Sequence, residues 1–155
     1  MLKKLYISDL NYKKIQKLKK PIVFLPMAAD ILHYGHIRIL NKSSLFGSVV
    51  IGLMTDKGIA SYKKKSFFSY KKRFEVLSSL KKIELIIPLE GLIYIEIAEI
   101  LKPKYFVHGS DWRNGPQAKV RLGLKKIMSN WNGKLLEFPY TKDISSTLIK
   151  KKINI

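Results

Sequence analysis

The sequence has no cysteine at all, which excludes a disulfide framework, a thiolate nucleophile and the usual ligands of structural zinc. Histidine is nearly as scarce, with three in 155 residues. No apolar run reaches ~18 residues, so a membrane-spanning helix is not supported. The basic N-terminus is interrupted by Lys, Asp and Asn between Leu2 and Leu18 and lacks the apolar core of a signal peptide. A cytoplasmic location is the default expectation. Acidic residues are few, 11 against 30 basic ones, giving a formal net charge of +19. Arginine is scarce within that excess: only Arg38, Arg73, Arg113 and Arg121. Base-edge and bidentate phosphate recognition favours arginine, so a specific nucleic-acid partner is not expected. The scattered lysines read as a solvated surface whose field draws in small anions. No internal repeat stands out.

What remains is one domain's length with 46% hydrophobic residues, enough for a core. Residues 1–20 are a basic extension with Leu5, Ile7, Leu10, Ile15 and Leu18 loosely at helical spacing. They predict a short surface helix or a former linker ahead of a domain at 21–155. From Pro21 short apolar runs alternate with helical patterns. Strands are expected at Ile22–Leu25, Val49–Met54, Leu85–Ile87 (stopped by Pro88), Tyr105–Val107 and Lys134–Phe138. Helices are expected at Tyr34–Leu45 (ended by Gly47), from Thr55-Asp56, at Tyr70–Lys81, Leu92–Leu101 and Gln117–Met128, and from Ser145. This alternation predicts a single α/β, doubly wound, Rossmann-like parallel sheet flanked by helices. With strand order 3-2-1-4-5, ligands bind where strands one and four diverge.

Two of the three histidines fall in Asp30-Ile-Leu-His-Tyr-Gly-His36, between the first strand and the first helix. His33 and His36, three apart, share one face. Gly35 lets a ligand approach the backbone, and the helix start favours phosphate. His108-Gly-Ser-Asp-Trp112 follows strand four and converges on the same crevice. Ser145-Ser-Thr147 reads as a hydroxyl-rich helix cap. Lys63, Lys64 and Lys65 lie in a basic loop, and Arg73 begins a helical stretch; either could be surface charge. Trp112 and His108 could be packing residues.

Three segments together, Asp30–His36, His108–Trp112 and Ile144-Ser-Ser-Thr-Leu-Ile-Lys150, resemble the motifs of the cytidylyltransferases within the nucleotidyltransferase superfamily, in the same order. The resemblance implies transfer of CMP from CTP to a small acceptor with release of pyrophosphate. It implies that His33 and His36 act on the α-phosphate, that one lysine, by position Lys63, closes on the phosphates, and that Arg73, with Arg113, meets the acceptor. Ile144, Ser145, Ser146 and Thr147 would hold the other phosphates, and Gly35 would admit them. Asp111 and Trp112 would set the base, Asp-Trp marking CTP users over adenylyl-transferring relatives. Asp30 would orient the loop, cap the helix or touch a Mg²⁺ carried by CTP; no metal ligands are otherwise assigned. Asp143 stands where the family has Gly, Tyr140 where some members have Arg, and Ser110 where it has Asp. Met27-Ala-Ala29, Val107–Arg113, Gly115 and Gln117–Arg121 are most similar to phosphonate cytidylyltransferases that accompany phosphoenolpyruvate mutase. A small phosphonate such as 2-aminoethylphosphonate is therefore the expected acceptor. Glycerol 3-phosphate, phosphoethanolamine and phosphocholine are alternatives, as is adenylyl transfer. A homodimer is also implied.

Overall fold

A computed structural model describes residues 6–155 of the chain. Leu5, part of the expected N-terminal stripe, lies outside the described residues. Five strands form one all-parallel sheet: β1 (Ile22–Met27), β2 (Ser48–Met54), β3 (Ile83–Leu89), β4 (Tyr105–Gly109) and β5 (Lys134–Phe138). Their order is β3-β2-β1-β4-β5, as the alternation predicts. The helices are α1 (Asp9–Gln16), α2 (Tyr34–Ser43), α3 (Asp56–Ala60), α4 (Tyr70–Ser78), α5 (Tyr94–Leu101), α6 (Ala118–Met128) and α7 (Ser146–Lys152).

The strands are apolar on both faces because both are covered. Alternate residues feed two separate cores. Ile22, Phe24, Val50 and Phe106 pack with α5 and α6 through Ile97, Leu101, Leu124 and Met128. Val23, Leu25, Val49, Ile51 and Val107 pack on the other face with Leu40 of α2 and Leu77 of α4. A sheet sandwiched between two helical layers follows from this alternation.

Helix α1 is short and lies at the surface, but it is not loosely attached. Ile7 and Ile15 are buried in the first core beside Ile22 and Phe24. Strand β3 runs through Pro88 rather than stopping before it. As an edge strand it has a side where a missing N–H costs nothing. Helix α2 ends at Ser43, ahead of Gly47. Gly47 is needed for a different reason: a Cβ there would lie 2.1 Å from the Pro21 carbonyl oxygen, where the chain enters β2.

The ladder between β1 and β4 covers only Val23–Tyr105 and Phe24–Phe106, although β1 continues to Met27 and β4 to Gly109. Pro26, with no N–H to give, lies in the parted segment. The two central strands therefore separate at their carboxyl ends, and a crevice opens there.

Candidate active site

An open cavity of about 710 Å³ occupies that crevice, a size that suits a nucleotide-scale ligand. It is lined from four sides: the β1–α2 junction, the loop after α3, the end of β4, and the segment from β5 into α7.

The β1–α2 junction is built around its two histidines. His33 is the N-cap of α2, and its Nδ1 accepts from the Gly35 amide at 3.1 Å. The His36 Nδ1 accepts from the His33 amide at 3.2 Å. The pair forms a reciprocal capping box with imidazoles in the roles usually taken by hydroxyl and carboxamide. With each Nδ1 acting as acceptor, each neutral ring carries its proton on Nε2. The rings lie 4.0 Å apart between centroids. Burial, then the charges of His33 and Lys63, push the His36 pKa down to about 3. Burial likewise lowers that of His33. Both are neutral N–H donors at physiological pH, with tautomers fixed by the backbone they cap. A Cβ at position 35 would lie 2.9 Å from the His33 ring and 3.3 Å from Ile144. Gly35 thus leaves room for the His33 ring as well as for a ligand.

Asp30 is buried and does not line the cavity. Its Oδ2 accepts from the Phe67 amide and its Oδ1 from the Phe68 amide, each at 3.0 Å, and it pairs with Lys150 of α7. Burial raises its pKa, but the Lys150 bond and the two amides outweigh this and hold it below the usual range. Of its expected roles, the geometry provides loop orientation: one carboxylate ties the Lys63-bearing loop and the last helix to the end of β1.

Of the three loop lysines only Lys63 lines the cavity. The residue is exposed overall, yet burial in the cavity wall lowers its pKa, opposed by Asp30 and reinforced by Lys150 and Arg73. On the far side, Ser145 caps α7 by accepting from the Leu148 amide at 3.0 Å, leaving its hydroxyl proton free to donate. The Ser146 hydroxyl donates to the Ile31 carbonyl at 3.3 Å. Ile144, Ser145, Ser146 and Thr147 all line the cavity. The Tyr34 hydroxyl donates to Asp143 at 2.5 Å, clasping this segment to α2. Ser110, where an aspartate was expected, accepts from the Tyr140 amide at 3.2 Å.

Two residues expected to meet ligand lie behind the cavity wall instead. Arg73 is 2% exposed, and four of its five N–H donors are engaged. It gives hydrogen bonds to the carbonyls of Phe68 (3.0 Å), Ala28 (2.7 Å) and Met54 (2.7 Å), and pairs with Asp56 at 2.8 Å. It braces the ends of β1 and β2 and the loop between α3 and α4 against one another, and it does not line the cavity. Trp112 is also 2% exposed and stacks under His108, with ring centroids 3.8 Å apart. His108 and Asp111 line the cavity in its place. Arg113 turns outward and bonds Glu137 at 3.3 Å. Lys150 and Glu137 do not stand out in the sequence as site residues. Lys150 has a local signal, four residues after Ser146 on the same face of α7. Glu137 has none, because its partners come from α6 and from the turn that follows β4.

The residues do not fit a resident metal. Both Asp30 oxygens are occupied, and no cluster of three His, Asp or Glu side chains with metal-binding geometry exists among the described residues. No helix among the described residues is long and apolar enough to cross a membrane.

The parted parallel sheet thus brings two neutral imidazole donors and the side chains of Lys42, Lys63 and Lys142 around one cavity. The cytidylyltransferase-like family model matches residues 28–152, and the chain belongs to that family. It is 35% identical over 85 residues to glycerol-3-phosphate cytidylyltransferase of Staphylococcus aureus (strain NCTC 8325 / PS 47), covering 54% of this chain and 64% of that protein. It is 28% identical over 137 residues to the bifunctional protein HldE of Geobacter metallireducens, covering 86% of this chain but only 27% of that protein. Among solved structures, the lipopolysaccharide core biosynthesis protein from Thermoplasma volcanium GSS1 shares the fold with a TM-score of 0.65 and 24% identity, covering 78% of this chain and 98% of the other.

Proposed function

We propose that the protein is a CTP-dependent cytidylyltransferase that transfers CMP to a small phosphonate or phosphate monoester. The observation that carries this reading is the histidine capping box. It presents two neutral Nε2–H donors side by side at the mouth of the parted strands, without any reorganisation needed on ligand binding. An oxygen of the acceptor's phosphonate or phosphate attacks the α-phosphorus of CTP in line. The bond from that phosphorus to the bridging oxygen breaks, and pyrophosphate leaves. His33 and His36 hold the α-phosphate and the bridging oxygen as negative charge grows there. Lys63 and the start of α7 hold the β- and γ-phosphates. Mg²⁺ carried by the triphosphate substrate would supply charge neutralisation there, and no residue of this chain is assigned to hold it. No covalent intermediate is required, because positioning and charge stabilisation suffice for this class of transfer.

The acceptor reading rests on the segments around Met27–Ala29 and Val107–Arg121. A second reading, transfer to glycerol 3-phosphate, is favoured by the staphylococcal relative. The test is pyrophosphate release from CTP and from ATP, with Mg²⁺, across 2-aminoethylphosphonate, 2-hydroxyethylphosphonate, phosphocholine, phosphoethanolamine and glycerol 3-phosphate. Turnover with CTP and a phosphonate is the expected result. Turnover with CTP and only a phosphate ester would retain the reaction and overturn the phosphonate acceptor. Turnover with ATP alone would overturn the nucleotide.

A further inference from the structure

Glu137 lies opposite His108 in the β4–β5 ladder, so the two side chains emerge on the same face of the sheet. Its Oε2 accepts from the Trp112 Nε1–H at 2.8 Å and from the Arg121 Nε at 2.8 Å, and its Oε1 from the Arg121 Nη2 at 2.7 Å. The carboxylate is 11% exposed and is held bidentately by an arginine of α6, a geometry that fixes direction as well as charge. Trp112 belongs to a four-residue 3₁₀ turn, Ser110–Arg113, which has little structure of its own. The indole N–H bond to Glu137 anchors one edge of the ring, and packing against Tyr94 and Phe106 holds its faces. The His108 ring lies on that plane, only 3° from parallel. The His108 Nδ1 is 3.0 Å from the Gly109 carbonyl oxygen, which can only accept. The proton therefore sits on Nδ1, and Nε2 is a bare acceptor. This is the opposite tautomer to that of His33 and His36. In a cavity whose lining carries Arg38, Lys42, Lys63 and Lys142, it is a neutral acceptor beside the Asp111 carboxylate, and it offers a place for a donor on the ligand.

We propose that Glu137 is a positioning residue: through the Trp112 N–H it sets the plate on which His108 lies, so that His108 presents Nε2 to an amino or hydroxyl donor of the bound nucleotide. The nucleotide part of this statement rests on the function proposed above; the positioning part does not. Two measurements separate them. Long-range ¹H–¹⁵N spectra of the free protein report ring tautomers, and the chain has only three histidines to assign. Wild type should show one Nδ1–H ring and two Nε2–H rings. Trp112→Phe keeps the plate and the Arg121–Glu137 pair but removes the N–H, and Glu137→Gln weakens the other partner. Both should shift or broaden the His108 signals and leave those of His33 and His36 in place. Because losing the stacked indole alters the ring current at His108 by itself, the decision rests on Glu137→Gln: unchanged His108 signals in that folded variant would overturn the positioning, whatever the activity.

The second measurement is steady-state kinetics with CTP. Each variant should raise KM for CTP about tenfold, the scale of one lost hydrogen bond, with kcat nearly retained. The double variant should be no worse than Glu137→Gln alone, since both act through one contact. Multiplying effects, or a loss confined to kcat, would refute the relay to the nucleotide. If wild type turns over no CTP, the proposed function fails, and the spectra still decide the positioning.

Discussion

Arg73→Met is the sharpest test of what the fold asks of its buried arginine. Methionine matches much of the volume but removes every donor. Three backbone carbonyls, those of Ala28, Met54 and Phe68, lose a charge-assisted bond, and Asp56 loses its partner. Asp56 is 46% exposed and can be rehydrated, so its ion pair contributes little. The cost lies with the carbonyls, each of which forfeits roughly 1–3 kcal/mol if left unsatisfied in a dry environment. Part is recovered by water entering beside the loop. A net loss of about 3–5 kcal/mol follows, the range for removing one partner of a buried charged network. Against a typical total of about 5–15 kcal/mol, this leaves a folded but weakened protein. Urea unfolding of wild type and variant, with the slope checked for constancy, measures it. Arg73→Lys should recover part of the loss, since an ammonium reaches fewer of these acceptors. A change below about 1 kcal/mol, accompanied by a large rise in acceptor KM, would refute the bracing role and return Arg73 to the acceptor.

Three further outcomes are expected. His36→Ala should lower kcat by about 10²–10³, as removal of one preorganised oxyanion donor does elsewhere, measured by pyrophosphate release; full activity would defeat the mechanism. Gly35→Ala should leave thermal stability near or slightly below that of wild type, because the helix preference of alanine, up to about 1 kcal/mol, is offset by loss of the His33 cap at about the same scale. It should nonetheless lose activity, because the new Cβ meets the His33 ring at 2.9 Å and displaces it. Stability should fall on acidification through a window set by His36. Its folded pKa of about 3 lies below its ordinary 6.5, so the unfolded chain binds the extra proton. The contribution is whole above 6.5 and declines as pH drops towards 3, at up to about 1.4 kcal/mol per pH unit. Unfolding midpoints measured across that range should show a smaller slope in His36→Ala.

That His33, His36, Lys63 and Ser145 would line one cavity was legible because the signals are local. The His-x-Gly-His spacing, the serine cap of α7 and the basic loop each lie within a few residues, where helix and turn geometry dictate which side chains share a face. The roles of Arg73 and Trp112 were not legible. An arginine and a tryptophan beside a ligand crevice have the same local pattern whether they point into it or brace it from behind. The direction is set by partners far along the chain: Met54 and Ala28 for Arg73, Glu137 for Trp112. Pro88 misled for a related reason, since a strand end and an edge position look alike until the sheet order is known.

The sequence alone determined the class of fold. Continuous apolar strands alternating with amphipathic helices can bury both strand faces only in a sheet covered on both sides. It also determined that His33, Gly35 and His36 gather at the β1–α2 junction, because all three are fixed by one helix start. The tertiary structure decided which charges face the ligand. Asp30 meets Lys150 across 120 residues, and Tyr34 meets Asp143 across 109. No periodicity encodes such pairs; they exist only once β1 and β4 have parted and the last helix has closed the cavity between them.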